Sequence, residues 1–525
     1  MNPRSSSRYR NSMLALVATM VTGLDFCLAR QWHFKGISNP VEAEFVGESL
    51  GFVVLKGSNG KSFEVPLANL SPADQEFIRA MGGKPQTSTR QQVGPDSKVP
   101  TQAADDIGPR LLTLDKPVEL HLGSPSDPFA GGSVNLVHPA SLLVFDKLRP
   151  SVVLAKHLDR ILINGAPAKP DANVRVERFA GGTVVIPHGP DFPALVVFRN
   201  PNLGGASASI KCYEKAGAGQ LADLKGPAGS FVLKRGYMAT LAENGYGTGT
   251  SRNYVAQDQD VVVNSLPKGL DQGLRFIRVF PWRWTSKKGI AGNLHDKLDV
   301  GWFYDWNIGA RSSPDLEYVA IKQQRWWPGM KQDWKEKGIN HLLGFNEPDR
   351  PDQAKMTVDE AIAGWPELLG TGLRLGSPAT SDGGLNWLYQ FMEKADRTNL
   401  RVDFVAVHYY RGVGNPGDGK SAANQMRNYL KGIHDRVKRP LWITEWNNGA
   451  NWTNTPEPNE KQQQAAITEM IKMLDETPFV ERYALYNWVK DGRMLVRKDG
   501  SLTPAGEVYR DRKSPVFFDQ PAYGK

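Results

Sequence analysis

The chain has 525 residues, too many for one ordinary hydrophobic core, so several domains are expected. With 40% hydrophobic and 23% charged residues, its composition is that of a globular protein rather than a disordered or fibrous one. The formal net charge of +9 comes from basic residues dispersed along the chain, which argues against nucleic acid as a partner and leaves solubility or attraction to an acidic envelope surface as its meaning.

Arg4, Arg8 and Arg10 precede an apolar run from Met13 to Phe26, and Cys27-Leu28-Ala29 offers a cleavage site. That order of positive, apolar and small residues predicts a secretory signal peptide over residues 1–29, with an uncleaved anchor as the alternative. A secreted, periplasmic or cell-envelope location follows as an expectation. Cleavage would leave Cys212 as the single thiol, so no intramolecular disulfide is expected, and a lone thiol usually serves as a small buried hydrophobe. The nine histidines form no metal-ligand spacing, so neither a metal nor another cofactor is expected.

Residues 30–80 read as a small β unit. Val41 to Val46 alternates apolar and polar residues, Gly51 to Lys56 is a second strand, Ser58-Asn59-Gly60 a hairpin turn, and Ser62 to Leu67 a third strand. Ser71 caps a helix that has Pro72 at its first position. The pattern resembles the SH3-like Sla homology domain, which implies a small β-barrel adaptor. Residues 81–109 are rich in Gly, Pro, Ser, Thr and Gln and read as a linker. Residues 110–190 hold short strands broken by Gly, Pro, Asn and Asp, among them Leu142 to Phe145, Arg160 to Ile163, Val174 to Glu177 and Thr183 to Ile186, and predict a β-sandwich-like module. Residues 191–282 hold two weakly repeated halves. The spacing of Phe198, Gly205 and Ser230 resembles a βγ-crystallin Greek key, and Ala242 stands where the second half would carry its aromatic residue. A structural or glycan-binding role is implied.

Of the fourteen tryptophans, only Trp32 precedes Trp282. Aromatic faces are platforms for sugar rings, and they also fill the cores of large α/β domains. From residue 283 to 513, strand and helix patterns alternate. Strands are expected near Gly289 to Gly292, then at Val300 to Trp306, Glu317 to Ile321, His341 to Phe345, Leu373 to Ser377, Asp403 to His408, Leu441 to Thr444 and Arg482 to Tyr486. Helices fall between them, one opened by the capping box Thr357 to Glu360. Eight such strands predict a (β/α)8 TIM barrel, with a doubly wound sheet as the alternative. The predicted architecture is therefore multidomain, with small all-β modules ahead of a C-terminal α/β barrel and a tail over 514–525.

Two of these strands end in carboxylates. His341 to Phe345 runs into Asn346-Glu347-Pro348, and Leu441 to Thr444 into Glu445. A pair of carboxyl groups at two strand ends is what glycoside hydrolysis requires. The domain resembles glycoside hydrolase family 128 of clan A. The resemblance rests on Trp302 to Trp306, Leu343 to Asp349, Ser377 to Ala379, Asp403 to Tyr409, Trp442 to Trp446, Val480 to Tyr483 and Gly500 to Gly506, in order and at matching spacing. It implies Glu347 as general acid/base, with a raised pKa, and Glu445 as nucleophile, the two close enough for retention. Asn346 would bond the sugar 2-hydroxyl, and His408 or Tyr410 would orient Glu445. Trp488 would floor the reactive subsite, with Trp306, Trp326, Trp327, Trp446 and Trp452 as candidate cleft walls. The implied function is an exported, retaining endo-β-glucanase acting without a cofactor. The alternatives are a non-catalytic glycan-binding or envelope scaffold protein and a different clan A glycanase or transglycosylase.

Overall fold

The computed structural model describes residues 30–34, 39–49, 52–57, 62–81, 101–103, 110–217, 221–224, 226–521 and 523. The expected signal peptide and most of the expected linker lie outside these residues. The chain divides into two compact units, Met1–Thr89 and Arg90–Lys525.

In the first unit the strands Arg30–Trp32, Val41–Ser49, Phe52–Gly57 and Ser62–Pro66 form an antiparallel sheet in sequence order, followed by the helix Pro72–Met81. Ser71 caps that helix, its hydroxyl accepting from the Asp74 N–H at 3.2 Å. The Asp74 carboxylate is buried and accepts from Arg30 at 2.6 Å, which ties the helix to the first strand. Burying a charge this way is tolerable only because it is paired.

The second unit begins earlier than composition suggested. Thr101–Ala103, within the expected linker, pairs in parallel with Glu119–Leu122. Two sheets follow, one from Leu111–Leu114, Ser133–Leu136, Ile161–Ile163 and Ala166–Pro167, the other from Thr101–Ala103, Glu119–Leu122, Leu142–Phe145, Gly182–Pro187 and Val174–Phe179. They share a core of Leu120, Leu136, Leu143, Phe145 and Val185. Leu142, Val144, Val184 and Ile186 point the other way, into the core of the C-terminal domain. Burial on both faces explains why these strands read as continuous apolar runs rather than alternating ones.

Eight strands then form two four-stranded sheets. Gly204–Ile210, Leu195–Asn200 and Ser230–Leu233 are completed by Val261–Val263 from the second half. Phe276–Pro281, Tyr237–Ala242 and Ser251–Val255 are completed by Lys215–Ala216 from the first. Gly205 has φ +79°, and a Cβ there would sit 2.9 Å from Asn200 Nδ2, so the fold-back needs glycine. Ser230 closes the same turn, donating to the Asn200 carbonyl at 2.6 Å and accepting from the Leu203 N–H at 3.0 Å.

In the C-terminal domain every strand pairing is parallel. One sheet runs Glu317–Tyr318, Trp302–Tyr304, Lys288–Ala291, Val480–Tyr486, Leu441–Trp446, Val405–Tyr409. A second runs Ala320–Ile321, His341–Leu343, Arg374–Leu375. Parallel bridges at Gly376–Phe404 and Thr380–Val407 join the neighbourhoods of Arg374–Leu375 and Val405–Tyr409, and only Val319 separates the two sheets at their other ends. Helices alternate with the strands, the longest being Val358–Leu369, Leu385–Arg397, Gly419–Val437 and Glu460–Glu476. The Thr357–Glu360 capping box forms as expected. Asn459 and Gln462 make a second capping box, on the helix Glu460–Glu476.

Buried ion pairs run among these strands. Glu317 takes Arg482 at 2.8 Å and His341 at 2.8 Å, and Glu481 takes Arg374 at 2.8 Å. The described residues after 513 include two that pack onto the rest of the unit. Phe518 packs on Trp282 with ring centres 5.0 Å apart, and the Tyr523 hydroxyl donates to Asp403 at 2.5 Å.

Candidate active site

The strands that lead to Glu347 and Glu445 have Arg374–Leu375 and Val405–Tyr409 between them, yet the fold brings the two side chains to one place. Glu347 follows the strand His341–Leu343 by way of Gly344, where a Cβ would lie 2.7 Å from the Pro378 nitrogen. Its N–H donates to the Ala379 carbonyl at 2.7 Å, and its φ is +41°. Trp306, on the far side of the site, is also left-handed at φ +56°. Left-handed backbone in a non-glycine residue costs on the order of 1 kcal/mol and collects where function requires a particular side-chain aim.

Four side chains surround Glu445, which is 8% exposed. Its Oε1 accepts from the Trp306 indole at 2.8 Å and the Tyr304 hydroxyl at 3.1 Å. Its Oε2 accepts from the Tyr410 hydroxyl at 2.6 Å. His408 Nδ1 stands 3.6 Å from that Oε2 and 2.9 Å from Glu347 Oε1. The two carboxyl oxygens are therefore no more than 6.5 Å apart, the sum of those two distances.

The protonation pattern follows from this packing. Burial pushes the Tyr304 and Tyr410 hydroxyls well above their usual range and the Glu445 charge pushes them further, so both keep the proton they donate. Burial disfavours a charged His408, but the carboxylates of Glu445 and Glu347 outweigh it and hold its pKa above the ordinary value. Burial would likewise raise Glu347, yet the His408 hydrogen bond and charge, with Arg350 at 3.4 Å, bring it below the ordinary value. That corrects the expectation of a raised Glu347 pKa. The two partners of this contact are thus shifted in opposite directions, His408 upward and Glu347 downward.

Asn346 lies beside Glu347 as its position required. Its Nδ2 donates to Gln353 at 3.2 Å, while its buried Oδ1 has no partner. A buried acceptor left open beside two carboxyl groups is suited to a ligand hydroxyl. The expected aromatic residues divide. Trp306, Tyr486, Trp488, Tyr410 and Trp452 form a connected wall with ring centres 4.9 to 6.3 Å apart. Trp488 and Trp452 are exposed at 41% and 52%. Trp326 is exposed at 77% on the loop beyond Lys322 whose Gln323 carbonyl accepts from the Asn346 N–H, and Trp327 next to it is half-buried.

Trp446 is not in the cleft. It is fully buried against Tyr483 and Tyr509, because strand alternation turns it away from the face that carries Glu445. Tyr304 and Tyr486 were not among the expected residues. The alternation rule would have found Tyr304, two residues before Trp306 and on the same face.

Residues 281–509 match the glycosyl hydrolase catalytic core family, and residues 25–85 match SLA1 homology domain 1. The chain is 28% identical over 249 residues to alkali-sensitive linkage protein 1 of Schizosaccharomyces pombe, a match covering 44% of each protein, so the chain spans under half of that relative's length. Among solved structures it is similar to a GH128 subgroup I endo-β-1,3-glucanase from Amycolatopsis mediterranei in complex with laminaritriose, at 30% identity over 43% of this chain and 98% of that one, TM-score 0.38. A GH128 subgroup II endo-β-1,3-glucanase from Sorangium cellulosum is 25% identical over 44% of this chain and 99% of that one, TM-score 0.35. The C-terminal half thus carries a glycosyl hydrolase catalytic core, and an SLA1 homology domain stands at the N-terminus.

Proposed function

We propose that the protein hydrolyses β-glucan, β-1,3-linked in the first instance, by double displacement with retention of configuration. The observation that carries this is the Glu347–Glu445 pair, its carboxyl oxygens within 6.5 Å through the shared contact with His408. Retaining enzymes hold their carboxyl groups at about 5–5.5 Å and inverting ones at roughly 6.5–9.5 Å. Glu445 is the nucleophile. Its three hydrogen bonds fix the carboxylate for attack on the anomeric carbon and take up charge when the glycosyl ester breaks. Glu347 is the acid/base. His408 Nδ1, 2.9 Å from Glu347 Oε1, supplies it with the proton that the leaving oxygen takes. Water then attacks the ester, with Glu347 accepting its proton. Asn346 Oδ1 takes a hydroxyl of the reacting sugar, and Trp488 and Trp306 lie under the ring.

The architecture we propose for the core is a closed (β/α)8 barrel. Its support is the run of parallel pairings, with the Gly376–Phe404 bridge and the single-residue gap at Val319 as the two joints. The middle module is proposed to be a crystallin-like double Greek key, supported by the exchange of strands between its halves. Export to the envelope or beyond rests on the leader pattern of residues 1–29, and the β modules are proposed to hold the core near glycan rather than to share its chemistry.

The test is to incubate the protein with β-1,3-, mixed-linkage and β-1,4-glucans beside Glu445→Ala and Glu347→Gln, following new reducing ends and the anomer first formed by NMR. We expect release from β-1,3-glucan as the β-anomer, and a loss of about 100- to 10,000-fold in Glu347→Gln, the range for general acid–base catalysis. No release from any glucan, release indifferent to Glu445→Ala, or the α-anomer first would each overturn the reading.

A further inference from the structure

The strand Lys288–Ala291 and the residue after it carry glycines where tryptophans rest. A Cβ on Gly289 would lie 2.3 Å from Trp302. A Cβ on Gly292 would lie 2.0 Å from Cη2 and 2.3 Å from Cζ3 of Trp488. Gly292 has φ +97°, and its N–H donates to the Tyr304 carbonyl at 2.7 Å. Its backbone is thereby pinned to the strand whose Tyr304 hydroxyl donates to Glu445. With the glycine held in place the contact is relieved by moving the indole, while φ +97° adds a backbone strain that a side chain at 292 carries in any background. Trp488 is the movable partner, 41% exposed and packed edge-on against Trp306 at 6.0 Å and tilted on Tyr486 at 5.6 Å.

We infer that Gly292 is a positioning residue for Trp488: the missing side chain lets the indole settle on the strand lip, and this sets the width of the cleft beside Glu445. The inference rests on the hydrolase reading and deepens it. Any side chain at 292 must drive the indole outward by more than about 1 Å, a displacement that in an active site can cost as much as ~100-fold. Gly292 touches no reacting atom, so its effect runs through Trp488.

A double-mutant cycle tests this, with kcat/KM on β-1,3-gluco-oligosaccharides, binding by tryptophan fluorescence, and circular dichroism for each protein. Gly292→Ala is expected to lower kcat/KM by about tenfold or more in the parent, where it meets both the indole and the +97° backbone, and by several-fold less in the Trp488→Ala background, where only the backbone strain remains. Parent-like activity in Gly292→Ala would overturn the proposal. So would an equal loss in both backgrounds, or unfolding of Gly292→Ala/Trp488→Ala, since the backbone alone would then account for the need for glycine. A parent that binds these oligosaccharides without cleaving them defeats the hydrolase reading alone, and the cycle is then read from binding. A parent that neither binds nor cleaves overturns both.

Discussion

His408 is fully buried between two carboxylates and stands within 3.6 Å of both. Its hydrogen bond and its charge hold the Glu347 pKa below the ordinary glutamate value against the effect of burial. Sequence identifies a glutamate at a strand end, but a pKa is set by neighbours in space, here a histidine 61 positions away. The hydrogen-bond donors to Glu445 are as scattered in sequence, at positions 304, 306 and 410. Of these, Tyr410 makes the shortest bond. A hydrogen bond to a charged acceptor contributes about 1.5–3 kcal/mol. Tyr410→Phe should therefore lower kcat/KM by roughly 10- to 100-fold, leave the thermal midpoint nearly unchanged, and cost more than Tyr304→Phe. Full activity in Tyr410→Phe would remove that hydroxyl from the mechanism.

The elements of the C-terminal domain were legible because their patterns are local. The capping box at Thr357 and the apolar strands that stop at polar lips depend on residues a few positions apart. What lies between the strands depends on distant residues. Arg374 and Glu481 are both essentially fully buried, and Glu481 also accepts from the Trp442 indole at 3.1 Å. Removing one member of such a pair strands the other charge in a dry interior at a cost of about 3–5 kcal/mol. Glu481→Gln should lower the denaturation midpoint strongly with no change in the slope of the transition, and Arg374→Met/Glu481→Leu should recover much of the loss. A Glu481→Gln protein as stable as its parent would mean that the pair carries no structural weight.

At the scale of the molecule, residues 90–525 form one compact unit because the β modules and the core share apolar surface, including the buried Trp282 and Trp284. Asp299 fastens one edge of that junction. It accepts from Arg149 at 2.8 Å and Arg178 at 2.7 Å in the sandwich-like module and from Lys513 at 3.2 Å beyond the last helix. Burial alone would raise its pKa, but these cations lower it from 3.8 to about 2. A depressed folded-state pKa means stability that is present above the unfolded value of 3.8 and lost as pH falls through about 2. Because the site is partly open to solvent, the contribution is about 1 kcal/mol after screening. Asp299→Asn should flatten the acid limb of the stability profile between pH 4 and 2 relative to the parent and speed proteolysis at the junction. Identical acid limbs would show that the junction does not depend on this charge.

By itself the sequence determined the alternation of strands and helices, the two glutamates at strand ends with Asn346 beside one of them, and most of the aromatic residues near them. These are consequences of short-range patterning and of motif spacing. Only the tertiary structure decided that Trp446 faces the core, that Thr101–Ala103 is a strand, that Phe518 and Tyr523 are strapped down, and that His408 stands between the two carboxylates. Each of those turns on which distant residue supplies the neighbouring face or charge, and a linear pattern does not carry that information.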